Sequence, residues 1–198
     1  TFFIPLGLWL GALAVFLVLS LPSYRLLSST AGDGRIVAST LVRASILTAI
    51  QAALLLLLLH AGVGVSWALL PATAGFALLT AISFTAFHYL LTAALGRGGL
   101  IISLFLLAIQ LTSTGGIYPI EAIAAPFQAV SPFLPLTYAV DGMYVILSGG
   151  NPQSAIAATF ALLGLAVVST ALSVLVIKRI RTSATTLAIL SAADSRPL

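Results

Sequence analysis

Residues 44–62 read ASILTAIQAALLLLLLHAG: nineteen positions without a charge, with an unbroken leucine block from Leu54 to Leu59. As a helix rising about 1.5 Å per residue, the stretch reaches about 28 Å, close to the thickness of a bilayer's hydrocarbon core. Outward from it the pattern recurs. Further spans are expected at Phe2–Leu21, Trp67–Ala94, Leu100–Thr114 and Ser154–Ile177. Pro5 and Pro71 fall in opening turns, where a missing N–H breaks no helical bond, and Pro22 stops the first span. Of the 198 residues, 61% are hydrophobic and 6% charged, against about 25% charged in a soluble domain. Eight Lys and Arg with four Asp and Glu cannot cover a water-facing surface, so a water-soluble globule is excluded. The expected fold is all-α: one domain, 1–198, a polytopic membrane helix bundle of five spans, with the lipid bilayer as its first partner.

The charges sort by side. Five crossings make the loops alternate between faces. Arg25, Arg35 and Arg43 then lie between spans one and two, Arg97 between three and four, and Lys178, Arg179, Arg181 and Arg196 after span five. All eight basic residues fall on one face, which the positive-inside rule reads as cytoplasmic, with the N-terminus outside and the C-terminus inside. This use of the positive charge, net +4, replaces a nucleic-acid partner as its explanation. The first span lacks a basic lead and a small-residue cleavage site, and the sole methionine is Met143. The chain is therefore expected to be the C-terminal part of a longer protein, preceded by a further span and an extracellular segment.

Between spans four and five, residues 115–152 read GGIYPIEAIAAPFQAVSPFLPLTYAVDGMYVILSGGNP. Pro119, Pro126, Pro132 and Pro135 forbid one continuous crossing helix, since each removes a donor and clashes with the preceding turn. The segment carries two charges, Glu121 and Asp141, too few for a solvated loop. Two short helices broken around Ser131–Pro135 are expected, forming an outer hairpin. One reading makes it re-entrant, starting at Gly115 and Gly116 and dipping into the outer leaflet, which irregular backbone tolerates only where protein or a water-filled cavity surrounds it. The other lays it on the outer interface, with Tyr118, Tyr138 and Tyr144 as aromatic anchors. Helix capping is the expected role of Glu121.

Three strings carry a family likeness: QLTSTGGIYPIE at 110–121, PFQAVSPFLPLTYAV at 126–140 and FIPLGLWLGAL at 3–13. Together they resemble the C-terminal membrane region of the YhgE/Pip (phage infection protein) family, along nearly the whole chain. That family is similar in turn to type-2 ABC exporter permeases, with six spans, a cytoplasmic coupling helix and outer re-entrant helices before the last span. The resemblance implies spans two to six of such a permease in a bacterial cytoplasmic membrane, working as a homodimer, with a separate ATPase subunit. It also implies export of an envelope or hydrophobic substrate, or a non-transporting role as anchor or scaffold for an extracellular domain in phage adsorption or secretion.

Candidate residues follow from spacing. Arg35, Ser39 and Arg43 repeat at i, i+4, i+8 beside Ile36, Val37 and Leu41. They form either a coupling helix for an ATPase or an arginine anchor at the anionic inner leaflet. Gly7 and Gly11 form a GxxxG pair, a candidate dimer seam or an internal helix contact. His60 is expected at the outer interface, His88 within the third span bonding a neighbouring helix, and Gln51 and Gln110 as interhelical partners. No cysteine is present and the only lysine, Lys178, follows no Gly-rich loop, so no P-loop or thiolate chemistry is encoded. No acid falls inside a span, which argues against ion-coupled transport and an aspartyl protease. Neither enzyme activity, nor a metal, nor a cofactor is expected of the chain.

Overall fold

The computed structural model describes residues 2–18, 30–114 and 123–194, with side chains to Ala184 in the last helix. Among the described residues are seven α-helices: α1 (Phe3–Val18), α2 (Asp33–Leu57), α3 (Leu70–Leu95), α4 (Arg97–Ser113), α5 (Ala125–Val130), α6 (Pro135–Ser148) and α7 (Pro152–Asp194). Three helical stretches are long and apolar enough to cross a membrane: Asp33–Gly62, Trp67–Leu95 and Pro152–Ala184. The bent pair α5–α6 makes up to four. The other two expected crossings, 2–21 and 100–114, fall on the shorter apolar helices α1 and α4.

The second span differs from expectation. The apolar run expected at 44–62 and the helical stripe of Arg35, Ser39 and Arg43 before it belong to one helix, since α2 runs unbroken from Asp33. Residues 35–57 contain neither glycine nor proline. Arginine is a good helix former, so charge alone does not end a helix at the edge of its apolar stretch. Asp33 in the first turn suits the positive end of the helix dipole. At the far end the backbone widens into a π turn, Leu58–Gly62, before Ser66 Oγ accepts from Ala68 N–H at 3.3 Å and starts the turn into α3. Gly96, at φ 60°, ends α3 and begins α4 in one residue. Three positions on, a Cβ at Gly99 would overlap the Leu91 carbonyl, so only glycine lets α4 fold back this tightly.

Helix α3 is the hub, packed against α7, α2, α1, α4 and α6. Two apolar clusters stack along it. One gathers Trp9, Phe76, Phe84, Leu136, Met143 and Leu162; the other gathers Phe16, Ile36, Val37, Tyr89, Ala93 and Ile177. The second adjoins Arg35, Arg97 and Lys178, so the described basic residues share one end of the bundle. Large apolar side chains also point outward, including Ile46, Ile50 and Leu54 on α2 and Phe160, Val167 and Leu175 on α7. In a membrane protein that surface faces lipid.

Candidate functional site

The hairpin breaks where the prolines fall. The segments Ala125–Phe133 and Pro135–Ser148 meet at 83°. Leu134, immediately before Pro135, is extended at φ −96° and ψ 126°, the conformation that the following ring imposes. The freed polar groups are satisfied locally. Thr137 Oγ1 donates to the Ser131 carbonyl at 2.9 Å, which leaves Ser131 Oγ to donate to Thr137 Oγ1 at 3.2 Å. Tyr138 O–H donates to the Pro132 carbonyl at 2.7 Å, and Gln128 Nε2 to the Ile123 carbonyl at 2.7 Å.

The second arm is seated inside the bundle. Leu136, Ala139, Val140 and Met143 of α6 are buried in the larger cluster. Gly142 meets the Phe76 ring of α3 so closely that a Cβ there would overlap its edge. Gln110 of α4, fully buried, accepts from Leu136 N–H at 2.9 Å through Oε1 and so caps the first turn of α6. Its Nε2, together with the buried Ser113 Oγ and Thr114 Oγ1 one turn further on, has no hydrogen-bond partner among the described residues. The broken backbone therefore ends in a polar seat enclosed by protein, the setting in which irregular structure survives at membrane depth.

The expected site residues distribute unevenly. Gly115, Gly116, Tyr118, Pro119 and Glu121 lie outside the described residues. Pro126 opens α5, Pro132 lies in the turn, Pro135 opens α6, and Asp141 is exposed on the side of α6 away from its packed face. Arg35, Ser39 and Arg43 sit on the first turns of α2, on the same helix as the apolar span. Ser39 Oγ donates to the Ile36 carbonyl at 2.9 Å, and Arg43 Nε to the Ser39 carbonyl at 3.0 Å, so part of the stripe is bonded along its own helix. Gly7 and Gly11 face α2: Gln51 Nε2 donates to the Gly7 carbonyl at 2.6 Å, and a Cβ at Gly11 would collide with the Gln51 amide. Within the chain the GxxxG pair makes an internal helix contact, its groove filled by Gln51 and Leu55.

His60 departs from its expected place at the interface. Only 2% exposed, it is held by the Val65 carbonyl and by Thr73 Oγ1, each at 3.1 Å, with Trp67 stacked on its ring. His88 bonds a neighbouring helix as expected. Its Nδ1 donates to the Phe84 carbonyl at 2.7 Å, so Nε2 is the acceptor and takes the Ser103 hydroxyl of α4 at 2.7 Å. Sequence reading missed Gly142, whose only signal was a glycine amid a helical pattern, and the clasp between Arg181 and Asp33. In that clasp Arg181 reaches Asp33 Oδ1 at 2.6 Å and the Ala31 carbonyl at 2.8 Å. Among the described residues, no group of three His, Asp or Glu side chains could hold a metal ion.

No family model matches the chain, and no solved structure matches it. An uncharacterized protein of Bacillus subtilis (strain 168), YhgE, is 30% identical over 99 residues, which is 50% of this chain and 13% of that protein. The chain thus spans a small part of the relative's length.

Proposed function

We propose, from the likeness to YhgE and the seated hairpin, that the chain is a permease-like membrane domain of a YhgE/Pip-type protein. In this reading it crosses a bacterial cytoplasmic membrane five times, N-terminus outside and C-terminus inside, and pairs with a second copy. It exports an envelope or hydrophobic substrate using an ATPase in trans. The observation that carries the proposal is the 83° break at Leu134, with α6 wedged against α3 through Gly142 and capped by Gln110. Against that broken helix, α4 and its C-cap bury amide and hydroxyl groups that have no partner among the described residues, polar groups at membrane depth for which a permease would have a use. The opposite end, where Arg35, Ser39 and Arg43 begin α2, is where force from an ATPase would enter. The test is reconstitution of the native full-length protein with its co-purifying ATPase. Vanadate-sensitive efflux of a lipophilic dye is expected, and its loss on Gln110→Leu at unchanged expression. Purification free of any ATPase, with no efflux, would defeat the reading.

A second reading, a non-transporting anchor or scaffold, is favoured by one fact: most of the Bacillus relative lies outside the matched stretch. It predicts that the extracellular partner or phage still binds when the membrane helices are exchanged for an unrelated anchor.

A further inference from the structure

Six described basic side chains lie at the end of the bundle whose core is Phe16, Ile36, Val37, Tyr89, Ala93 and Ile177. Arg181 is engaged with Asp33, the acid described at that end. The other five, Arg35 and Arg43 on α2, Arg97 at the α3–α4 turn, and Lys178 and Arg179 on α7, are exposed and make no ion pair among the described residues. The surroundings of four of them follow one pattern. Arg43 sits between the exposed Val42 and Ile46, Arg97 between the exposed Leu95 and Ile101, and Lys178 and Arg179 between the exposed Leu175 and Ile180. These four mark the margins where outward apolar stripes end, and Arg35 lies about 12 Å beyond Arg43 along α2. From Arg43 to Gly62 the helix covers about 28 Å, one hydrocarbon thickness, which brings Arg43 to the headgroup plane.

We propose that these five side chains form a ring that binds the headgroups of anionic phospholipids. The proposal rests on the membrane reading above and is independent of transport. A leaflet bearing negative charge attracts basic groups held within about 10 Å at 0.1 M salt, and long Lys and Arg stems let the charge rise from an apolar surface to the phosphates. Spread over three helices at the apolar margin, the ring matches a lipid collar better than a protein docked on the end of the bundle, for which the charges would have to gather on the end face. The test places the full chain in nanodiscs of phosphatidylcholine alone and of phosphatidylcholine with phosphatidylglycerol. Lipid retained after extraction is read by native mass spectrometry and insertion by flotation. The wild type is expected to retain phosphatidylglycerol about tenfold over phosphatidylcholine, less at high salt. Changing all five residues to Gln should abolish that preference, while a charge-keeping variant with Arg→Lys at the four arginines should preserve it. Equal retention of both lipids by the wild type, or an undiminished preference in the five-Gln variant, overturns the proposal. So does a ring that shows no lipid preference but is required to hold an ATPase subunit. Failure to insert into either disc would instead overturn the membrane reading itself.

Discussion

Gly142 has no side chain because Phe76 already occupies the space one would fill. Gly142→Ala should therefore cost about 1–3 kcal/mol through overpacking, and trimming the ring in Phe76→Leu should recover part of that loss. Unfolding of the two single variants and the double variant in one detergent checks the coupling; strict additivity would mean that α6 and α3 do not meet there. Gln110 acts through a single acceptor. Gln110→Leu leaves Leu136 N–H buried without a partner, a loss of about 1–3 kcal/mol. Gln110→Glu keeps an acceptor oxygen and should slow the Leu136 amide's hydrogen exchange relative to the leucine variant. Neither effect is visible in the local sequence, where Gly142 is one glycine among several and Gln110 a polar residue in an apolar run. His60 shows why. Its position at the end of an apolar run suggests an interface, but burial depends on Thr73 and Val65, which reach it only after the chain turns back.

At the scale of the element, α1 and α2 are joined by glycines on one and an amide on the other. Gly11→Leu should force Gln51 aside and lower the melting temperature while leaving the oligomeric state unchanged. Sedimentation in detergent separates the outcomes, since a shift from dimer to monomer at unchanged melting temperature would restore the glycine pair as a dimer seam. The spacing of Gly7 and Gly11 was legible as a close-approach motif; which helix would use it was not, because any helix with a long side chain at the right height fits such a groove. The extension of α7 beyond its apolar stretch is tied back to the start of α2 by Arg181 and Asp33, both about a quarter exposed. A double-mutant cycle of Arg181→Gln and Asp33→Asn should give a coupling of about 1 kcal/mol or less. Faster amide exchange at residues 31–36 in either single variant would locate the effect at the clasp.

For the molecule as a whole, the membrane reading rests on long apolar helices and on outward-facing leucine, isoleucine, valine and phenylalanine. Because the chain lacks cysteine, its sidedness can be tested one residue at a time. Arg97→Cys at the α3–α4 turn and Asn151→Cys before α7 are expected to react with an impermeant reagent from opposite faces of intact cells. Labelling from the same face would end the five-span orientation and the permease reading with it. The helical class, most of the apolar stretches, the hairpin break and the segregation of basic residues were all legible beforehand. Each depends on properties that neighbours along the chain share: a charge-free run, a proline's missing donor, the count of arginines between runs. The continuity of α2 across the edge of its apolar run was not, since hydropathy reports where lipid would end, whereas a helix ends only where its hydrogen bonding fails.

By itself the sequence determined what kind of solvent this chain must face and where its backbone could not stay helical, because transfer cost and proline sterics act locally. Only the tertiary structure decided that α3 would be the hub, that Gln110 would cap α6 and that Gly11 would receive Gln51. Those pairings join residues 26 and 40 positions apart (110 to 136 and 11 to 51), and they exist only because helices of matching shape pack side by side.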